Sequence, residues 1–134
     1  MNILVTGANG LLGASLVERL AMEHTVYIVV KDITKFSEYT NGICIKEGLL
    51  NLDMNTLPKN IDAVYYLAQS NQFRSFPQGA KDMLEINVSI PLEMINWAKD
   101  NSVRKFIYAS SGGVYSDTEE VVKEGSSIDA HQVE

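Results

Sequence analysis

Residues 1–13, MNILVTGANGLLG, decide how this chain is read. Met1 to Val5 forms a short apolar strand, Gly7, Gly10 and Gly13 follow at three-residue spacing, and an amphipathic segment, SLVERLAME, continues from there. A strand, a tight glycine turn and a helix start make the phosphate-binding corner of a dinucleotide fold. Each glycine has its own physical reason. Gly7 lets the chain turn sharply out of the strand, Gly10 removes a Cβ where the backbone must approach a pyrophosphate, and Gly13 lets the helix pack closely on the sheet. The N–H groups at the helix start, with the positive end of its dipole, then favour a bound anion. Taken alone, the window also fits a glycine turn without a ligand. It does not fit a mononucleotide P-loop, because no Gly-Lys-Ser/Thr follows the glycines.

Working outward, strand-like and helix-like stretches alternate along the chain. The first strand, 2–6, leads to a helix over 11–23. Further apolar runs at 25–31 (TVYIVVK), 43–47 (ICIKE), 62–68 (DAVYYLA) and 103–110 (VRKFIYAS) read as strands rich in β-branched and aromatic residues. A helix is expected over 80–100, with Met83, Leu84, Val88, Leu92, Ile95 and Trp97 near helical spacing and Pro91 as a kink or a restart. Runs with little alternation suit strands buried on both faces. The expected fold is therefore α/β, a doubly wound parallel sheet of about five strands in order 3-2-1-4-5 with right-handed crossovers. Residues 1–115 form the expected domain; 116–134 are polar and acidic and read as a tail or loop.

Composition narrows the function classes. Of the 134 residues, 46% are hydrophobic and 21% charged, ordinary for one globular domain with a single core. A net charge of −6 with no compensating basic patch argues against nucleic acid as a partner. No apolar run approaches the ~20 residues that span a bilayer. The lone Cys44 reads as a small buried apolar residue and allows no internal disulfide. Met1 runs straight into the first strand, which leaves no room for a signal peptide, so a cytoplasmic protein is expected. His24 and His131 stand alone, near a helix end and in the tail, and offer neither a base nor a metal site.

Four motifs fall in one order: TGANGLLG at 6–13, DAVYYLAQ at 62–69, NVSIP at 87–91 and FIYASSGGVYSD at 106–117. In these the chain resembles the extended short-chain dehydrogenase/reductases of the sugar-nucleotide epimerase/dehydratase type, and specifically their N-terminal Rossmann part. The resemblance implies NAD or NADP as cofactor and a nucleotide-sugar substrate for the parent protein. It makes Gly7, Gly10 and Gly13 the cofactor-binding glycines, with Asn9, Leu11 and Leu12 lending backbone N–H groups to the pyrophosphate. Leu67 and Ala68 match the strand end beside the cofactor, and Gln69 stands where the family usually has a small residue. Asn87 matches a helix asparagine that supports the site. Ala109 and Ser110 match the end of the fifth strand, and Ser111 matches the Ser/Thr that hydrogen-bonds the reacting oxygen of substrate. By itself Ser111 would read as a loop serine capping local backbone.

The departures from the family pattern are informative. The acid that holds the adenosine ribose falls on Lys31 when counted without gaps and on Asp32 with a shift of one. Lysine favours the extra phosphate of NADP, aspartate the free 2′-hydroxyl of NAD, and the ungapped count leans to NADP. Leu49 occupies a spot where relatives often carry an aspartate near the adenine. The family's reaction needs Tyr-x-x-x-Lys roughly two dozen residues after the serine, with the tyrosine as general acid/base. No such pair follows Ser111; Tyr115 belongs to the strand-end motif and has Glu119 four residues on.

Two function classes follow. The first is the cofactor-binding part of an NAD(P)-dependent epimerase, dehydratase or reductase, truncated before a sixth strand and substrate part and inactive as it stands. The second is a non-catalytic dinucleotide-binding sensor or interaction module. A flavodoxin-like regulatory domain fits less well, because strand one is not followed by an acidic phospho-acceptor cluster. Arg74, the only positive charge in the loop QSNQFRSFPQGA, either meets a phosphate of a nucleotide sugar or is a solvated loop arginine. Missing cover over sheet and helices also predicts exposed apolar surface and self-association into a homo-oligomer.

Overall fold

In a computed structural model, residues 1–30, 34, 36, 44–45, 49–115 and 121–128 are described. Five parallel strands form one sheet in the order β3-β2-β1-β4-β5. They are β1 (Asn2–Thr6), β2 (Thr25–Val29), β3 (Cys44–Ile45), β4 (Ala63–Tyr66) and β5 (Lys105–Tyr108). β1 lies at the centre, with Val5 beside Ile28 on one side and Tyr65 on the other. Helix α1 (Leu11–Ala21) joins β1 to β2.

Side chains alternate across the sheet and build two cores. Ile3, Val5, Val26 and Ile28 pack with Val17 of α1 on one face. Leu4, Val29, Val64 and Tyr66 pack with Ile90 and Met94 on the other. Both faces are covered, which is why the strands read as nearly unbroken apolar runs. At the N-terminal ends of the strands, Asp62 ties three of them together. Its carboxylate accepts the Asn2 N–H at 2.8 Å and the Arg104 guanidinium at 3.0 Å. These partners, Asn2 first, hold its pKa below the usual carboxylate range.

Two local expectations change. The helix over 80–100 is not continuous: α2 (Ala80–Leu84) passes through a π-helical turn, Glu85–Ser89, into α3 (Ile90–Asp100), with Pro91 in the first turn of α3. The row Leu84, Val88, Leu92 and Ile95 is not its buried face. Those four are 43–58% exposed, while Ile90, Pro91, Met94 and Ala98 face the core. The turn inserts a residue per cycle and so rotates the helix against a uniform 3.6-residue count. Second, the acidic tail is not wholly without pairing, since Ile128 forms an antiparallel bridge with Tyr115.

Candidate dinucleotide site

The site lies at the C-terminal ends of the strands, where the order reverses between β1 and β4 and a doubly wound sheet opens a crevice. The three glycines there are needed for different reasons. Gly7 has φ +71°, and a Cβ on it would lie 2.6 Å from the backbone N of Ala68. A Cβ on Gly13 would press on the Gly7 carbonyl and come within 2.9 Å of the Ala8 Cα. These two are demanded by the fold itself. Gly10 is different: among the described residues a Cβ there would meet only the Gly7 oxygen, at 3.2 Å, a tight contact that a shift of a few tenths of an ångström would relieve. The missing side chain leaves a backbone cradle open to whatever lies outside the turn.

That cradle opens onto unsatisfied donors. Gly10 caps α1 with no side-chain hydrogen bond, and the first turn of α1 carries no acid. Among the described residues, the N–H groups of Leu11, Leu12 and Gly13 are the unpaired donors of a helix start. Leu11 and Leu12 are 94% and 62% exposed, so what they offer is backbone. An anion fits this corner by charge and by geometry.

A cleft of 390 Å³ runs past the turn. Gly7 and Asn9 form its floor; Val29, Val30, Leu49 and Leu50 line one side, and Gln69, Ser70 and Asp82 the other. A second cavity of 190 Å³ adjoins it, sharing Ala68 and Gln69 and adding Asn87, Tyr108, Ala109, Ser110 and Ser111. Gly7, Asn9, Ala68, Gln69, Asn87, Ala109, Ser110 and Ser111, all singled out from sequence, thus meet along these two adjoining cavities, whereas Gly10, Leu11, Leu12 and Gly13 line neither and stand at the helix start beside them. Leu67 does not line them; its side chain packs against the α1-side core, and its backbone backs Gly7. Arg74 lines neither cavity and lies 5.2 Å from the ring of its neighbour Phe73. Lys31 and Asp32, which bear on the choice between NAD and NADP, are outside the described residues.

Several site residues carry no sequence signal of their own. Ser70 is 3% exposed and its hydroxyl donates to the Asp82 carboxylate while accepting the Gln72 N–H at 3.1 Å. The Ser70 N–H donates to the Asn87 Oδ1 at 3.0 Å. The loop after β4 is thereby pinned to the helix. Burial pushes the Tyr66 hydroxyl well above its ordinary range, so it stays a donor. Ser111 begins the short turn Gly112–Val114, and its Oγ accepts the Gly113 N–H at 3.1 Å. The capping role is therefore present, and the hydroxyl proton remains available to a second acceptor.

Comparison with known proteins decides the family. Residues 3–132 match the model of the NAD dependent epimerase/dehydratase family. The chain belongs to that family. A protein described as an uncharacterized UDP-glucose epimerase, YtcB of Bacillus subtilis (strain 168), is 26% identical over 96% of this chain and 45% of its own length. The structure of UDP-glucuronic acid 4-epimerase from Bacillus cereus with UDP-glucuronic acid and NAD superposes with a TM-score of 0.81 at 25% identity, over 96% of this chain and 46% of that one. UDP-N-acetylglucosamine 4-epimerase from Methanobrevibacter ruminantium M1, in complex with UDP-N-acetylmuramic acid, gives 0.79 at 25% identity over 95% and 43%. This epimerase/dehydratase family member thus spans less than half the length of these relatives. Among its described residues, no helix is long and apolar enough to cross a membrane, and no cluster of His, Cys, Asp and Glu could hold a metal ion.

Proposed function

We propose that this chain is the dinucleotide-binding half of a sugar-nucleotide epimerase or a close relative, and that its cleft takes NAD. The observation that carries this is the cradle at Gly10, where an added Cβ meets far less than at Gly7 or Gly13 and which a pyrophosphate would fill. Leu11, Leu12 and Gly13 would hold the pyrophosphate through their N–H groups. Val29, Val30, Leu49 and Leu50 would enclose the adenosine, and Ala68, Gln69 and Asn87 the other nucleoside. NAD is preferred to the NADP suggested by Lys31, because a relative of matching fold carries NAD. A bound nicotinamide would supply the hydride acceptor. Ser111 would donate its free hydroxyl proton to the reacting oxygen of a nucleotide sugar and fix that oxygen's position. No Tyr-x-x-x-Lys follows Ser111 within these residues, so they would bind cofactor without turning substrate over.

Calorimetric titration with NAD+ and with NADP+ tests the proposal. Saturable binding of NAD+ that is tighter than that of NADP+ is the expected result. Tighter NADP+ binding would return the weight to Lys31, and binding of neither would discard the dinucleotide reading.

A further inference from the structure

The π turn at Glu85–Ser89 leaves two carbonyls without their helical donors, and the reason is written in the sequence. The Ile90 N–H goes to Glu85, five residues back, instead of to Ile86. Pro91 has no N–H, so it can serve neither Asn87, four residues earlier, nor Ile86, five earlier. Two tyrosines from adjacent strands take those places. The Tyr66 hydroxyl donates to the Ile86 carbonyl at 2.5 Å, and the Tyr108 hydroxyl donates to the Asn87 carbonyl at 2.9 Å. Their rings stack, with centroids 5.6 Å apart and planes 12° from parallel. Tyr66 and Tyr108 are register partners on β4 and β5.

We propose that Tyr66 and Tyr108 are positioning residues: their hydroxyls hold the π turn open and so aim Asn87 at the nicotinamide-side half of the bound dinucleotide. This rests on the dinucleotide reading above. Asn87 spends its amide oxygen on Ser70 N–H, a group that can only donate. Its NH2 is left without a partner among the described residues, at the wall of the cavity that also holds Ser111. In a doubly wound sheet the adenosine lies toward β2, so the other nucleoside extends over β4 and β5. That direction leads to Asn87. An uninterrupted α-helix with an N–H at position 91 would direct this carbonyl to its own backbone and turn the side chain elsewhere on the helix. Tyr108, 43% exposed, is the more tractable of the pair.

The test compares two ligands that differ only beyond the pyrophosphate. Tyr108→Phe keeps the ring stack and removes the hydroxyl. It should weaken NAD+ about fivefold to tenfold, the scale of one lost hydrogen bond, and leave ADP within about twofold. A structural defect would move both ligands together, so parallel weakening overturns the proposal, as does no change in either. Pro91→Ala supplies a competing N–H for the Asn87 carbonyl and should give the same split by a different route. If both ligands bind this variant as they bind the unaltered chain, the proposal also fails. An unaltered chain that binds neither ligand overturns the dinucleotide reading, and the inference with it, before any variant is made.

Discussion

The two halves of the cleft are built by different means. The β1–α1 corner is shaped by the absence of side chains: Gly7 and Gly13 let backbone lie on backbone, and Gly10 leaves a cradle open. The β4–β5 side is shaped by their presence: Ser70, Asp82, Asn87, Tyr66 and Tyr108 fix the loop and the π turn through hydrogen bonds. The first half is rigid because nothing else fits. The second is held by bonds that can each be removed without a clash. Steric necessity and bonded support should therefore fail differently under mutation.

The largest effect is expected at Gly7. Gly7→Val places a branched side chain at positive φ, against the backbone of Leu67 and Ala68. It should cost about 3 kcal/mol or more of stability, read from denaturant unfolding. A loss under about 1 kcal/mol would mean that the corner yields and is not sterically fixed. On the opposite side, Ser70→Ala leaves the Asp82 carboxylate and the Gln72 N–H without their partner, and should cost about 1–3 kcal/mol with the sheet intact. A cost as large as that at Gly7 would erase the contrast between the halves.

The smallest effect lies away from the cleft, at Asp62, and serves as a control on both halves. Its acidity is strengthened in the folded state, chiefly by the Asn2 N–H and then by Arg104. A carboxyl with a depressed folded pKa contributes stability above its unfolded value, and that contribution is lost as pH falls through the folded one. Melting temperature should therefore fall as pH drops below about 4, and Asp62→Asn should flatten part of that slope. If the variant keeps the full slope, the acid sensitivity belongs to other carboxylates.

How much of this was legible in sequence follows the same division. The glycine corner was readable because sterics act through residue type and spacing alone: three glycines after an apolar strand leave few alternatives. The strand order was readable for a related reason, since apolar runs alternating with helices force a doubly wound sheet. The helix over 80–100 was only partly readable. Pro91 signalled an interruption, but its consequence depends on Tyr66 and Tyr108, which are distant in sequence and meet only through the register of β4 and β5. Ser70 and Asp82 were silent for the same reason, being two ordinary polar residues whose bond exists only once the loop is folded. Periodicity did not separate the exposed row Leu84, Val88, Leu92 and Ile95 from the buried one, because it counts apolar residues without knowing which of two apolar faces meets the sheet.

The central claim is that the Gly10 cradle receives the pyrophosphate of a dinucleotide. Titration of Gly10→Val with NAD+, alongside its thermal melt, tests this most directly. The account predicts a melting temperature within a few degrees of the unaltered chain, since among the described residues only the Gly7 oxygen stands near the new side chain, and loss of NAD+ binding by about 100-fold or more, as a blocked phosphate site requires. NAD+ binding that survives unchanged in a folded Gly10→Val chain would place the ligand elsewhere and contradict the account.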